Sequence, residues 1–396
     1  MPAETELHEL SRRVRAAVDR DRLLQTAVDL IGIRSITGDA GEVSDALARM
    51  LDREGFSVER PDGGHTAAPA VAARWSSGRP GPVLQFDGHL DTVHLPFVPP
   101  TVDGDLLKGS GASDMKAGVA AAVEALRVIR DNKLLPCGEI LFTAHDLHEA
   151  PWGDGSQLNH LIENGYCGDA ALIPEYTRDS LPIIGRGNSV FKLSVRRPGA
   201  PIHEVYRPLD QPSPLKVTAE LVRELEAWGD ELAKHSHPMA GKESLFLGQM
   251  HVGEIYNQFA QEGWLEGTRR WLPGRTFEQV KAELEERVRH VAARTGAEIS
   301  VQFQLIRDAF ELPVESPLVT SFQQVCREVM GEPLPVAAKP FVDDGSSFWA
   351  LKKVPCITHG PRASGAHTLN EWVSIDDLCR VAQVYALTAW SFCSAS

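Results

Sequence analysis

The sequence predicts an α/β fold: a three-layer domain with a central mixed sheet, interrupted by an inserted ferredoxin-like βαββαβ unit. Three observations predict it. Short apolar runs alternate with amphipathic helical periods through 1–184. Half-buried strand periods of a different character fill 185–306, and helix, apolar strand and helix resume over 307–396. Metal-type side chains on both sides of the middle stretch have to meet in space, so 1–184 and 307–396 form one discontinuous domain around 185–306.

Taken in order, segments 21–31 and 41–52 read as helices. Val83-Leu84-Gln85-Phe86, Ile140-Leu141-Phe142 and Ala170-Ala171-Leu172-Ile173 read as buried strands. Between the first two strands, Met115, Val119, Ala122, Val123, Leu126 and Ile129 share one helical face. Strand and helix therefore alternate, which favours helices on both faces of a sheet. Phe191, Leu193 and Val195 then alternate with Lys192 and Ser194. A helix over 214–235 follows, with strands over 249–256 and 262–268. A helix carrying Phe277, Val280, Leu284, Val288 and Val291 precedes a strand in which Ile299, Val301, Phe303 and Leu305 alternate. That order is the split βαββαβ unit. Segments 316–329, 353–358 and 374–393 close the chain as helix, strand and helix.

Composition narrows the function classes. With 396 residues, 43% of them hydrophobic, the chain can bury two cores of ordinary size. A formal net charge of −14 argues against recognition of a phosphate backbone, so nucleic acid is not an expected partner. The pairs Arg196-Arg197 and Arg269-Arg270 are too short to change that. Apolar stretches are broken by charges well before the roughly 18 residues of a membrane span. The start, Met1-Pro2-Ala3-Glu4, lacks a basic region followed by an apolar one, so no membrane and a cytoplasmic location are expected. Cys137, Cys167, Cys326, Cys356, Cys379 and Cys393 are scattered without a close pair and read as small core residues.

Three distant segments carry the chemistry: Gly88-His89-Leu90-Asp91, Gly111-Ala112-Ser113-Asp114-Met115-Lys116 and Ser364-Gly365-Ala366-His367. A two-metal site needs a carboxylate bridging the ions and further N/O ligands on each. Asp114 is the candidate bridge, with His89 and His367 as one imidazole per metal. His89 would emerge at the carboxyl end of a strand, where α/β sheets bind ligands. Asp91 could orient it through its second ring nitrogen. Read alone, His-x-Asp is more often structural, and Asp114 could equally be the N-cap of the helix that follows.

The run Gly88-His89-Leu90-Asp91-Thr92-Val93, the run Ser113-Asp114-Met115-Lys116-Ala117-Gly118, and Gly360-Pro361 through Ala366-His367-Thr368, Asn370 and Glu371 resemble the signatures of the co-catalytic metallopeptidase/aminoacylase family, which includes acetylornithine deacetylase, succinyl-diaminopimelate desuccinylase and glutamate carboxypeptidases. Thr268-Arg269-Arg270-Trp271-Leu272-Pro273-Gly274 resembles a family segment in the inserted domain. The resemblance implies Asp114 as bridge, His89 and Glu175 on one metal, and His367 on the other. It also implies Asp91 and Glu371 behind the ligands. His203 would stabilise the developing oxyanion, and Asn257 and Arg270 would bind a substrate carboxylate. The inserted unit would act as a lid and build a homodimer.

The family places two adjacent acidic residues, base then ligand, after the strand at 140–143. This chain has His145-Asp146-Leu147-His148-Glu149-Ala150 instead. One register makes His148 the base and Glu149 the fifth ligand. A second makes Asp146 the base and puts Leu147 at the ligand position; a third makes Glu149 the base and leaves Ala150 there. The first retains all five ligands. The segment 341–347, with Asp343 and Asp344, is expected to shape the pocket, whereas His94, His145, His235 and His237 read as structural or exposed. The implied function is hydrolysis of an amide-type C–N bond in a small carboxylate-bearing substrate, an N-acyl amino acid or dipeptide. A metal-activated hydroxide would attack, with two Zn or Mn ions (Co also suits) and an altered base. A hydrolase removing an amine or amidine from a non-peptide molecule, and an inactive metal-binding homologue, are the alternatives.

Overall fold

The computed structural model describes residues 4–151, 153–339 and 342–394; residues 1–3 of the leading segment and Phe341, both weighed above, lie outside them. The chain forms two compact units, one of Met1–Ile183, Leu312–Ala337 and Asp343–Ser396, the other of Ile184–Glu311 and Ala338–Val342.

The first unit is built on a six-stranded sheet ordered Ser57–Glu59, Val71–Ser76, Glu139–His145, Val83–His89, Ala170–Ile173 and Cys356–Thr358. Its last four strands run parallel and its first two antiparallel to their neighbours. Continuous apolar runs make these strands because parallel strands are covered on both faces. In Val83–His89, Phe86 packs on Tyr385 with ring centroids 5.2 Å apart. Gly88 faces Val119 so closely that a Cβ there would come within 2.8 Å of its Cγ2. Gln85, Asp87 and His89 therefore project to the opposite face. Register pairs Asp87 with Thr143 and His89 with His145.

The helix Lys116–Asp131 is buried from Lys116 to Ile129 and packs against Arg20–Ile31 and Ile375–Ser394. Its fully buried Glu124 receives Arg22 Nη2 at 2.7 Å and the Asp19 amide at 2.9 Å. Arg127, equally buried, is held by Glu54 Oε1 at 2.6 Å and Thr26 Oγ1 at 2.9 Å. The closing helix and strand lie at Pro317–Met330 and Cys356–Thr358. An N-terminal helix Glu4–Ala17, the strand Val71–Ser76 and the short helix Gly345–Lys352 are additions to the expected elements.

The second unit runs Gly187–Arg196, Pro214–Leu232, Ser244–Val252, Glu262–Trp271, Phe277–Thr295 and Glu298–Arg307. Its antiparallel sheet is ordered Ser244–Val252, Glu262–Trp271, Gly187–Arg196, Glu298–Arg307, the arrangement of the split βαββαβ unit. Phe191, Leu193, Val195, Leu221, Leu225, Trp228, Leu284 and Val288 form its core. The strand expected at 249–256 lies instead at Ser244–Val252. Leu245 and Leu247 pack toward the core, and Gly253, at φ +70°, turns the chain out of the strand. The helix expected to reach 235 stops at Leu232, where the chain leaves to pair Ser236–His237 with Gly241–Lys242. Among the described residues no helix is long and apolar enough to cross a membrane.

Candidate metal centre

His89 ends the strand Val83–His89 and is fully buried. Its Nδ1 lies 3.0 Å from the Asp91 carbonyl oxygen and 3.6 Å from Asp91 Oδ1. Its Nε2 lies 3.1 Å from Asp114 Oδ1 and 3.5 Å from Glu175 Oε1. Asp114 sits in the turn before Lys116–Asp131. The N-cap position belongs to Met115, with no side-chain cap, so capping is not the role of Asp114. What holds this turn is Glu371, whose carboxylate accepts the Gly111, Ser113 and Asp114 amides at 3.1, 3.1 and 3.2 Å and Ser113 Oγ at 3.0 Å. Buried Lys116 donates to the Ile33 carbonyl at 2.9 Å and Ser35 Oγ at 3.1 Å.

Glu175 stands two residues beyond Ala170–Ile173, on a strand end seated against the helix Lys116–Asp131. A Cβ at Gly118 would meet the Pro174 oxygen at 2.0 Å. His367, at φ +60°, comes from the C-terminal segment. Its Nε2 lies 3.1 Å from Glu149 Oε2 and 3.4 Å from Asp114 Oδ2. The two oxygens of Asp114 thus face different imidazoles. The donor atoms of His89, Asp114 and Glu149 lie within 4.8 Å of one another, as do those of His89, His148 and Glu175.

Electrostatics follow from three buried carboxylates and two imidazoles. Burial, then the neighbouring charge of Asp114, pushes Glu175 up to about 8. Against the upward push of burial, hydrogen bonds from His367 and His89 hold Asp114 well below the usual carboxylate range. Hydrogen bonds to Asp114 and Glu149 raise His367 to about 10. Asp114 and Glu175 raise His89 even though burial opposes it. The carboxylates that raise these imidazoles are the groups whose charge bound cations would compensate.

The other residues of the 145–150 segment separate spatially. Asp146 accepts the Gly38, Ala40 and Leu147 amides at 2.9, 3.0 and 2.6 Å and lies 3.2 Å from His65 Nε2. Its carboxylate is taken up in loop packing. Asp91 Oδ2 accepts the His148 and Glu149 amides at 3.1 and 2.8 Å. The His148 ring stacks on that of His89, centroids 4.0 Å apart, and its Nδ1 lies 2.8 Å from Asp344 Oδ1. Asp87, His145 and Asp344 form a second buried group; of the three, His145 had read as structural or exposed and Asp344 as shaping the pocket, while Asp87 carried no expectation. Asp87 and His145 falling on the His89 face by strand parity was the available signal.

His203, Asn257 and Arg270 belong to the second unit. The first two adjoin: Asn257 Nδ2 is 3.3 Å from His203 Nε2. Arg270 is half-buried and, among the described residues, makes no ion pair; burial and then the charge of Arg186 push its pKa down.

Residues 86–391 match the family described as Peptidase family M20/M25/M40. The succinyl-diaminopimelate desuccinylase of Alkalilimnicola ehrlichii is 30% identical over 380 residues, 91% of this chain and 96% of that one. A tripeptidase from Staphylococcus aureus superposes with a TM-score of 0.78 at 20% identity, over 96% of this chain and 100% of its own. A dinuclear metal-binding peptidase from Bacillus subtilis does so at 0.70 and 14%, over 95% and 99%. The match across most of the chain and the identity with the desuccinylase go together with the sheet-end cluster of His and carboxylate: the chain belongs to peptidase family M20/M25/M40 and is a hydrolase acting on C–N bonds.

Proposed function

We propose that this hydrolase cleaves the amide-type bond of a small carboxylate-bearing substrate, an N-acyl amino acid or dipeptide, at a dinuclear centre held by His89, Asp114, Glu149, Glu175 and His367, with His148 as general base. One observation carries the reading. Asp114 faces His89 with one oxygen and His367 with the other, and each imidazole faces a further carboxylate. The residues fit such a pair of ions. Separations of 3.1 to 3.5 Å between donors suit ligands each about 2 Å from a shared ion, and among the described residues nothing hydrogen-bonds the buried Glu175 Oε2. When bound, two divalent ions supply Lewis acidity and acidify water. Zn, Mn and Co all suit this mixed donor set.

The chain's own residues supply the rest. With Nδ1 turned to Asp344, His148 keeps Nε2 as its basic nitrogen. That atom takes a proton from the attacking water and returns it to the departing amine. His203 would donate to the oxyanion on closure of the second unit, and Asn257 and Arg270 would hold the substrate carboxylate. A half-buried guanidinium with no acidic partner among the described residues, beside a second arginine, suits that role because leaving it unpaired is unfavourable until an anion arrives. Relatives named succinyl-diaminopimelate desuccinylase favour an N-succinyl substrate within the class. By the family resemblance the second unit also pairs two copies into a homodimer.

The test measures metal per chain after Zn²⁺ or Mn²⁺ loading together with amine release from N-succinyl amino acids and dipeptides. Wild type should take up two ions and turn over; Glu149→Ala should take up one and stop. His148→Gln should keep both ions and lose about 10²–10⁴ in kcat. Uptake of a single ion by wild type, or unchanged turnover in His148→Gln, would overturn the centre or the base respectively. Release of amine from aromatic amines or ureido compounds instead would give the chain to the amine-removing alternative.

A further inference from the structure

In the register proposed above, His148 stands where the family resemblance expects a carboxylate, and an imidazole in that place needs something a carboxylate does not. A carboxylate offers two equivalent oxygens. Imidazole has two unlike nitrogens, only one of which can accept a proton when the ring is neutral. Its orientation and tautomer have to be set from outside, by the partner of the other nitrogen.

Asp344 is fully buried and occupies the N-cap position of the helix Gly345–Lys352, yet its side chain makes no cap hydrogen bond. Its carboxylate points inward, with Oδ1 2.8 Å from His148 Nδ1 and Oδ2 3.4 Å from His145 Nε2. His145 Nε2 is also 3.5 Å from Asp87 Oδ2, while its Nδ1 lies 3.2 Å from the Asp146 carbonyl. Asp87 Oδ1 accepts Thr143 Oγ1 at 2.5 Å, and Thr143 Oγ1 accepts Gln85 Nε2 at 2.7 Å. Asp343 secures the helix start: it accepts Thr358 Oγ1 at 2.5 Å and the Gly345 amide at 2.9 Å. Asp87 and His145 are each 1% exposed. Polar groups this deeply buried are costly unless their charges are compensated; His145 Nε2 meets the two carboxylates at ion-pair distance and without hydrogen-bond geometry, and the line of charges ends at His148.

We infer that Asp344 is a positioning residue for His148, held in turn by His145 and Asp87, and that this buried string fixes His148 with its proton on Nδ1 and its basic Nε2 at the reacting water. The inference rests on His148 being the general base. The proton removed from water goes to Nε2, Nδ1 keeps its own, and Asp344 stays ionised against the imidazolium until Nε2 passes its proton to the amine. The carboxylate orients and compensates charge; it accepts no proton.

The experiment uses the full-length zinc-loaded protein labelled with ¹⁵N-histidine, the His148 signals being those absent from His148→Gln. Wild type should show His148 protonated at Nδ1 and bare at Nε2. Asp344→Asn and His145→Gln should each shift part of the population to the other tautomer while two zinc ions remain bound. Turnover of the substrate found above should fall about 10- to 100-fold in kcat for Asp344→Asn, with KM within about twofold. In the His148→Gln background, Asp344→Asn should cost nothing more. A wild-type His148 protonated at Nε2 overturns the inference even if no variant folds. So do an unchanged tautomer in both variants, and a third zinc ion per chain that His145→Gln removes, since the Asp87, His145 and Asp344 group would then be a cation site. Intact turnover in His148→Gln strikes the base reading itself. A loss there beside intact turnover in Asp344→Asn strikes only the string.

Discussion

Glu371 works at one remove from the candidate ligands. By gathering three amides and a hydroxyl of the 111–114 turn it fixes where Asp114 points. Glu371→Gln replaces one acceptor oxygen with a donor facing those N–H groups. We expect metal affinity to fall about 10- to 100-fold with two ions still bound at saturation, read by chelator competition; unchanged affinity would remove Glu371 from that role. His359 gives a pH prediction. Burial and then the Arg380 charge push it down to about 3 from 6.5, so between those values the unfolded chain binds a proton that the native one does not. Stability is present in full above about 6.5 and is lost as pH falls toward 3. In metal-free protein, His359→Gln should flatten that loss, as urea midpoints at pH 7.5 and pH 5 would register; an equal drop in both proteins would count against it. At this scale, His89, Asp114 and His367 were legible because each lies within its own recognisable flanks. Counting left three registers for 145–150. The loop is set by Leu147 at φ +65° and by the grip of Gly38, Ala40 and His65 on Asp146, contacts that span about a hundred positions of sequence and leave no local trace.

The helix Lys116–Asp131 is the element on which the proposed centre is assembled, carrying the Asp114 turn at its start and the Glu175 strand end against Gly118. An added methyl at Gly118 meets backbone, not a movable side chain. Gly118→Ala should therefore cost about 1–3 kcal/mol of stability and weaken the ion facing His89 and Glu175 more than the one facing His367. Sequential metal titration beside a thermal melt would check this; equal weakening of both ions would show that the strand end does not transmit the clash. On the same helix, Arg127→Leu would strip Glu54 of its partner and Glu124 of one of two arginines. A loss of about 3–5 kcal/mol is expected, the cost of breaking a buried ion pair, and denaturant unfolding reads it; a loss below about 1 kcal/mol would mean that Arg22 alone compensates Glu124. The apolar strands and the helices with a clear stripe were readable because period and burial coincide. The helix Glu4–Ala17 was not: its large apolar residues are Leu7, Leu10 and Val14 alone, on its buried side. Nor was Gly345–Lys352, whose eight residues are too few to establish a period; Asp344 was expected to shape the pocket, but its approach to His148 left no sign in the sequence.

At the scale of the molecule, every candidate metal donor and the whole Asp87 to His148 string lie in the discontinuous unit, and the residues proposed for oxyanion and carboxylate lie in the other. The discontinuity itself was legible, because His367 had to reach His89 and Asp114 across the intervening periods. The assignment of Ala338–Val342 to the second unit was not, since no periodicity sets that stretch apart. This partition predicts that metal binding and turnover can be separated. The Leu312 amide donates to the Ile183 carbonyl at 2.8 Å, so the two chain ends left by removing 184–311 are already neighbours and a Gly-Ser-Gly bridge can join them with little loop entropy. The shortened protein should fold and take up two ions. Its turnover should fall by about 10²–10³ or more, the scale of losing an oxyanion donor, because His203, Asn257 and Arg270 leave together. Residues 184–311 alone, with their own core, should melt cooperatively and take up no ion. Loss of both ions in a folded shortened protein would mean that the donors depend on the second unit. Retained turnover would mean that the three residues assigned there do no chemistry, and the substrate carboxylate would have to be sought among the groups around Asp114.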